Sequence, residues 1–273
     1  MIGLLNADPD IVIRIDELRN KKSLDIDLSD SIPSNLKGLY IDWIKKPIKV
    51  KSDKYAFQAA IINKYVKRKI PIVIFDRYMC ISNKEYKWLS KYNVHFFEPA
   101  LNNRKHFEYL PFCLNNLNEE FLFDETNSKR SIDLGFKGNR HNDSFDKFIV
   151  SYIKENPTKN VVYDDENIDW NDVKWTIAID DKYNYDIGYL NNNVFDAMKC
   201  GCAIFIPMEH KYFIGMSYGI SIDDNMFMDY FIENFTHNMR IGTILSTYET
   251  IKKIYPEFTI NNIVDKILSK MGG

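Results

Sequence analysis

Candidate functional residues follow two apolar runs of the sequence, and a further acid lies on a predicted helix, at positions where a substrate can be bound and activated. Asp76 comes directly after "PIVIF", and a carboxylate at the end of a strand can act as a general base. Gly138 and Arg140 follow "IDLGF", where backbone N–H groups at a helix entrance and a permanently charged guanidinium suit a phosphate. Asp196 lies early in the predicted helix "NNNVFDAMKC", where the helix dipole favours a carboxylate that can accept both hydroxyls of a ribose. Together these residue types fit group transfer from a nucleotide.

Each of these positions also has a simpler structural interpretation. Aspartate is common at strand ends, so Asp76 can cap the turn that follows it. The loop with Gly138 and Arg140 has neither the GxGxxG nor the P-loop pattern, and by itself it fits an ordinary turn. Asp196 can be a residue that stabilises the start of its helix. Asp8, in "LNADPD", is a further acid at the first predicted turn.

The elements that would position these residues alternate between strands and helices in the first half of the chain. The predicted strands are "GLYIDWI", "IPIVIFD" and "NVHFFEPA". The second of them is apolar without alternation, as expected of a parallel strand that is covered on both faces. The predicted helices are "SDKYAFQAAIINKYVKRK" and "NKEYKWLSKY". Pro111 keeps the extended segment "FEYLPFCLN" out of the centre of a sheet.

The alternation restarts after a polar connection, "NNLNEEFLFDETNSKR". The predicted strands of the second half are "SIDLGFKG", "NVVYDD", "KWTIAID", "CAIFIP" and "GISIDD". Two helices, "MDYFIENFTHN" and "INNIVDKILSKM", are predicted towards the C-terminus. Two such series predict an α/β protein with two units and a cleft between them, and ligands bind beyond the carboxyl ends of the strands in such sheets.

Composition excludes several classes of protein. The chain has 273 residues, of which 45% are hydrophobic, enough for a sizeable core. The longest apolar runs are far too short to span a bilayer, and the first residues carry acids where a signal peptide needs basic residues. The four cysteines and five histidines show no metal-like spacing, so we expect free thiols in a reducing cytoplasm and no protein-held metal.

Charge is distributed unevenly along the chain. The net charge is only −2, but residues 31–91 contain 14 Lys and Arg against 4 Asp and Glu. This excess of positive charge predicts an anionic partner for the first half. A solvated, lysine-rich surface explains the same counts without a partner.

The segment around Asp196 resembles a signature of glycosyltransferases of the GT-B type. In "VFDAMKCGCAIFI" an acid on a helix is followed by small residues and an apolar strand. The longer stretch "DDKYNYDIGYLNNNVFDAMKCGCAIFIPMEHKYF" is similar to the DNA β-glucosyltransferase family of T-even phages. Fainter similarity to that family, in the same order, is present in "IVIFDRY", "FEYLPF" and "IDLGFKGNRHNDS".

This resemblance implies a GT-B fold, with two Rossmann-like domains facing a central cleft. Residues 1–115 would bind the acceptor, residues 116–250 would bind the nucleotide sugar, and residues 251–273 would form a helix that packs back on the first domain. The implied reaction moves a sugar, glucose by analogy, from a UDP-sugar to the hydroxymethyl group of a modified base in double-stranded phage DNA, with inversion. The implied setting is a monomer in the cytoplasm of an infected bacterium, without membrane association.

The resemblance also implies roles for individual residues. Asp76 matches the catalytic base, Arg140 a diphosphate-binding arginine and Asp196 the ribose-binding acid. The rest of the implied nucleotide-sugar site consists of Gly138, Ser144, Lys182, Tyr183, Asn184, Asn192 and Asn193.

Two of these positions depart from the family pattern. Ser144 and Asn193 stand where the family has arginines. A charge-assisted hydrogen bond contributes about 1.5–3 kcal/mol, so their absence weakens the expected diphosphate contacts. Lys182, or a Mg²⁺ or Mn²⁺ ion on the diphosphate, would compensate. The first half is also shorter than in the family, which makes acceptor recognition the least transferable part.

Other functions stay open at this point. A GT-B transferase that acts on a glycan or a protein would share the signature around Asp196. A non-catalytic nucleotide- or DNA-binding relative would explain the missing arginines. If the acceptor is a base in duplex DNA, it has to leave the stack, and Trp43 or Tyr78 can stack on it or fill the gap. Both aromatic residues also fit ordinary core or surface positions.

Overall fold

The fold divides into two compact units. A computed structural model describes residues 2–5, 7, 11–12, 14–15, 24–25, 35–43, 53–100, 104–111, 117, 119–124, 129–138, 140, 142–163, 168–180, 182–187, 189, 192–208, 219–254, 257 and 259–271. Unit 1 comprises Met1–Cys113 together with Glu257–Gly273, and unit 2 comprises Leu114–Pro256. The predicted divisions lie at 115 and 251, and the second of these falls within the helix His237–Ile254.

Helices occur in both units. Those of unit 1 are α1 (Asp53–Val66), α2 (Asn83–Leu89) and, at the end of the chain, α10 (Ile260–Ser269). Those of unit 2 are α3 (Glu119–Phe123), α4 (Asp143–Phe145), α5 (Ser151–Glu155), α6 (Lys182–Ile187), α7 (Asn192–Lys199), α8 (Asn225–Asn234) and α9 (His237–Ile254). A π-helical turn, Asp146–Val150, joins α4 to α5. Residues 11–12 and 14–15 of unit 1 are also helical.

Unit 1 contains a six-stranded, wholly parallel sheet in the order β2-β1-β3-β4-β5-β6. Its strands are β1 (Ile2–Leu5), β2 (Leu24–Asp25), β3 (Gly38–Asp42), β4 (Ile72–Phe75), β5 (Val94–Glu98) and β6 (Glu108–Tyr109). Every residue of β3 and β4 is buried, which is why these segments are apolar without alternation. The short β6 is an edge strand, as Pro111 predicts.

The last helix of the chain belongs to unit 1. Its buried face consists of Ile263, Val264, Ile267 and Leu268. Lys266 donates a hydrogen bond to the carbonyl oxygen of Tyr109 at 2.5 Å, and Lys270 forms a 2.6 Å ion pair with Glu108. The chain therefore leaves unit 1, builds unit 2, and returns to the edge of the first sheet.

Unit 2 contains a five-stranded parallel sheet in the order β11-β10-β9-β7-β8. Its strands are β7 (Ile132–Phe136), β8 (Val161–Tyr163), β9 (Val173–Ile177), β10 (Ala203–Pro207) and β11 (Ile220–Ile222). Counted from β7, this order is 2-1-3-4-5, which is also the order of the first five strands of unit 1. In this doubly wound order, the strand order reverses between the first and third strands, and ligands bind at that switch point.

Both units are therefore α/β units built on a parallel sheet, which is compatible with the predicted Rossmann-like domains. The finer GT-B arrangement, with the two domains facing a central cleft, stays a prediction.

Arg130 fixes the amino edge of the second sheet. It is 4% exposed, and its guanidinium donates to the carbonyl oxygens of Trp170, Val173 and Cys200. Gly201, with a φ of +84°, follows α7, and a β-carbon there would lie 2.7 Å from the guanidinium. The turn between α7 and β10 therefore requires glycine for two reasons: the backbone angle is left-handed, and Arg130 leaves no room for a β-carbon.

Candidate functional site

The carboxyl end of β7 carries the predicted anion-binding loop. Lys137, Gly138 and the exposed Arg140 follow the strand, and α4 begins at Asp143. Asn142 caps the helix, because its side-chain oxygen accepts a hydrogen bond from the backbone N–H of Phe145 at 2.7 Å. The loop thus leads into the positive end of a helix, with a guanidinium beside it, and both features favour an anion.

Helix α7 is tied to this loop by one of the predicted residues. The side-chain amide of Asn193 donates to the carbonyl oxygen of Lys137 at 3.3 Å. Asn193 therefore bridges two segments, where the glycosyltransferase family has a cationic side chain. Asp196, one turn further along α7, has a side chain that is 43% exposed and lies 3.8 Å from the amine of Lys199. An ion pair this exposed is weak, so Asp196 can exchange it for a ligand hydroxyl.

The carboxyl end of β9, the other strand at the switch point, carries a further acid. Asp180 is 8% exposed and accepts a 2.6 Å hydrogen bond from the side-chain amide of Asn184. The carbonyl oxygen of Asn184 accepts from the backbone N–H of Tyr189 at 2.9 Å. Asn184 therefore organises the loop around α6, whereas Tyr183 beside it is 67% exposed. Asp180 was not predicted, although it ends an apolar run, "TIAID", in the same way as Asp76 ends "IVIFD".

The remaining predicted residues of this site are distributed as follows. Ser144 is half-buried within α4, close in the chain to Arg140. The side chains of Lys182 and Asn192 lie outside the described residues. The described members of the set thus stand on the segments that follow β7 and β9, at the carboxyl edge of the second sheet.

Asp76, the predicted base, occupies a different environment from the one that its role requires. It is 0% exposed. One carboxylate oxygen accepts from the backbone N–H of Cys80 at 2.9 Å, and the other accepts from that of Ile81 at 2.8 Å. A general base needs hydrogen-bonding reach to its substrate. This geometry instead favours the simpler interpretation, in which Asp76 holds the turn after β4.

Arg104 completes the surroundings of Asp76. Its guanidinium donates to Asp76 at 2.6 Å, to Glu98 at 2.6 Å and to the carbonyl oxygen of Ile81 at 2.9 Å, and it lies 3.7 Å from the ring centroid of Phe107. Burial lowers the pKa of Arg104, but the hydrogen bonds to Asp76 and Glu98 outweigh this, so its pKa is raised. One arginine therefore joins the ends of β4 and β5 to the turn that follows β4.

A second buried acid lies at the end of β3. Asp42 is 6% exposed and accepts hydrogen bonds from the hydroxyl of Tyr40 at 2.6 Å and from Arg77 at 2.8 Å. Neither Asp42 nor Glu98 was predicted. Their signal is again an acid that closes an apolar run, in "GLYID" and "HFFE". Of the two predicted stacking residues, Trp43 is 2% exposed and belongs to the core, so that prediction is wrong, whereas Tyr78 is 60% exposed. Asp8 lies outside the described residues.

The thiols of Cys80 and Cys202 are unsuited to nucleophilic chemistry, which requires the thiolate. Burial raises the pKa of Cys202 to about 12. Burial and the nearby Asp76 raise that of Cys80 to about 12. Across the described part of the chain, no group of three or more His, Cys, Asp or Glu side chains is placed to hold a metal ion.

Comparison with known proteins does not identify a family. No protein-family model matches the chain, and no curated protein is a significant match in sequence. None of the helices in the described ranges is both long and apolar enough to cross a membrane. The resemblance to phage glucosyltransferases therefore stays a prediction.

Proposed function

We propose that this chain is a glycosyltransferase of the GT-B type, with its nucleotide sugar bound at the switch point of unit 2. The observation that carries the proposal is the architecture. Two parallel sheets share the order 2-1-3-4-5, and the final helix belongs to the first unit. A returning C-terminal helix is a feature of many GT-B enzymes, and the predicted donor residues lie at the carboxyl edge of the second sheet.

The donor half of the proposal assigns the diphosphate to the loop after β7. Gly138 allows the backbone to approach it, and the entrance of α4 together with Arg140 supplies positive charge. The ribose hydroxyls go to Asp196, whose carboxylate is accessible. Positive charge at the diphosphate also stabilises it as it departs from the sugar. Asn193 takes part by holding the loop in place.

A metal held by the protein is not part of the proposal. The described residues contain no group of ligands for one. A Mg²⁺ or Mn²⁺ ion would have to arrive on the diphosphate of the donor, as is common for Mg²⁺ at phosphate sites.

The acceptor we propose is the hydroxymethyl group of a modified base in DNA. This part rests on the sequence resemblance and on the positive charge of residues 31–91. Asp76 enters the proposal as the residue that holds the turn beside the acceptor site, and no residue is assigned as the base.

The burial of Asp76 favours one alternative, a binding protein that has the fold and lacks the reaction. Turnover separates the two, and a matched pair of variants tests whether the loop after β7 binds the donor. Arg140→Ala removes a proposed donor contact, whereas Lys154→Ala removes the same charge from an exposed position on α5.

The experiment incubates wild type and both variants with UDP-sugars and with hydroxymethylated or unmodified duplex DNA. The DNA is then digested, and the nucleosides are analysed by mass spectrometry. We expect a hexose-sized gain on the modified base with wild type and Lys154→Ala, and a strongly reduced gain with Arg140→Ala. Release of UDP without nucleoside gain points to a glycan or protein acceptor. UDP binding without release or gain, whatever the donor, contradicts the proposal and supports the binding protein.

A further inference from the structure

Arg240 is a buried cation in the first turn of α9. It is the fourth residue of that helix, His237–Ile254, and is 3% exposed. Burial and the nearby Arg130 lower the pKa of Arg240, but only to about 10, so the guanidinium is protonated at neutral pH. Removing a positive charge from water is costly unless a negative group is paired with it. Arg240 therefore requires an anionic partner.

The described side chains that interact with Arg240 supply no negative charge. Its side-chain hydrogen-bond partner among them is His237, whose Nδ1 lies 2.9 Å from Nη2 of the arginine. A guanidinium can only donate, so this Nδ1 accepts and the imidazole is neutral. The thiol of Cys202 keeps its proton, because burial raises its pKa to about 12. In the part of the chain that the structure describes, the buried Nε of Arg240 has no acceptor.

The guanidinium of Arg240 lies at the positive end of a long helix. His237 is the first of the 18 residues of α9, and the 2.9 Å contact with it places the guanidinium beside the helix start. This is the direction in which helical side chains lean. Thr236 caps the helix, since its hydroxyl accepts from the backbone N–H of Met239 at 3.3 Å. The helix dipole and the buried cation both favour an anion at this end.

A second buried guanidinium restricts the size of that anion. Arg130 is 4% exposed and lies close enough to Arg240 to lower its pKa. The space beside Arg130 is crowded, because a β-carbon on Gly201 would lie 2.7 Å from its guanidinium and 3.1 Å from the side chain of Leu122. Such packing favours an ion of one atom over a phosphate or a sulfate.

We infer that the start of α9 binds a small inorganic anion of the size of chloride, held by the guanidinium of Arg240. The anion neutralises a charge that the described side chains leave uncompensated, and it thereby stabilises unit 2. This site lies beside Arg130 at the amino edge of the second sheet, whereas the proposed donor site is at the carboxyl edge. The inference is therefore independent of the proposed function.

The test follows amide hydrogen exchange of α9 while chloride replaces gluconate at constant ionic strength. Gluconate is a large anion that a crowded site excludes. An anion that binds only the folded state raises the ratio of folded to opened molecules by mass action. Raising chloride from about 5 mM to about 500 mM should increase the protection of α9 about 6-fold to 80-fold, for dissociation constants between about 100 mM and 1 mM.

Two variants show whether Arg240 is responsible. Arg240→Met replaces the guanidinium with an apolar side chain, and the protection of α9 should then be independent of chloride. Lys253→Met removes the same charge from an exposed position on the same helix, and it should respond to chloride like wild type. No effect of chloride on wild type would overturn the inference. An equal effect on wild type and Arg240→Met, as a general salt effect would give, would overturn it as well.

The location of the anion is tested in wild type, so that this result does not depend on the folding of Arg240→Met. Bromide has the charge of chloride and nearly its size, and it scatters X-rays anomalously. Crystals of wild type grown with bromide in place of chloride should show an anomalous peak beside the guanidinium of Arg240. The absence of a peak there, at a bromide concentration that saturates the effect on hydrogen exchange, would overturn the inference.

Discussion

Replacing Asp76 tests whether a buried carboxylate holds the acceptor-side turn or performs chemistry. The proposed perturbations are Asp76→Ala and the nearly isosteric Asp76→Asn. Glu98→Gln is the matched control, because Glu98 is also fully buried and binds the same arginine, and no catalytic role is proposed for it. The three variants disturb one ion-pair cluster in comparable ways.

The magnitude follows from the hydrogen bonds of Asp76. Alanine leaves the backbone N–H groups of Cys80 and Ile81 without their acceptor, and each bond to a charged group contributes about 1.5–3 kcal/mol. Arg104 adds little, because its side chain is 39% exposed and it keeps Glu98. We therefore expect Asp76→Ala to lower the free energy of unfolding by about 3–5 kcal/mol, in the range for breaking a buried pair.

Asparagine should have a smaller effect. It retains one oxygen that accepts a hydrogen bond, but its NH₂ group faces the other backbone donor, so one bond is lost at a cost of about 1.5–3 kcal/mol. Urea unfolding followed by circular dichroism measures both values. A loss below about 1 kcal/mol in Asp76→Ala would refute the structural role.

Turnover separates the two roles once folding is known. If Asp76 is structural, Asp76→Asn and Glu98→Gln lose activity only in proportion to their unfolded fraction. If a folded Asp76→Asn is inactive while Glu98→Gln is active, Asp76 is the base after all, and our interpretation of its burial is wrong.

Three further predictions concern the amino edge of the second sheet and the thiols. Gly201→Ala should destabilise the protein by about 1–3 kcal/mol in thermal or urea unfolding, because the new β-carbon meets Arg130 and the φ of +84° is strained for alanine. Gly242→Ala, in open space within α9, should instead stabilise it by about 0.5–1 kcal/mol. Equal effects of the two substitutions would contradict this prediction. The thiols of Cys80 and Cys202 should react slowly with Ellman's reagent at pH 8 until urea is added, since their pKa values of about 12 keep them protonated. Fast reaction of either thiol in the native state would contradict these raised pKa values. Because the pKa values of these thiols are raised in the folded state, the thiols of the unfolded chain ionise first as the pH rises. The free energy of unfolding should therefore fall between about pH 9 and pH 12. The fall should be less steep in Cys202→Ala, which lacks one of the two thiols.

The sheets were predictable from the sequence because their signal is local. Strands such as β4 and β10 are continuous apolar runs, and a parallel sheet covered on both faces requires such runs. Helix α9 was not predicted, although Ile241, Ile244, Tyr248 and Ile251 form its buried stripe. Threonine and glycine between them are weak helix formers, so the helix depends on packing that the local sequence does not show.

The candidate site was predictable in position but not in partners. The strand-end rule placed Asp76 and Arg140 correctly at carboxyl edges. It did not show that Asp76 is buried and bound to Arg104, because that arginine lies 28 residues further along the chain. It also did not show that Asn193 binds the carbonyl of Lys137, a contact across 56 residues. Side-chain partners at such separations are determined by the tertiary fold.

Titration of UDP into the protein by isothermal calorimetry tests the central claim, a nucleotide site at the switch point of unit 2, most directly. Wild type and Lys154→Ala should bind UDP with equal affinity. Arg140→Ala should bind it about 10-fold to 150-fold more weakly, as expected for one charge-assisted hydrogen bond. No binding by wild type, or equal binding by Arg140→Ala, would contradict the account.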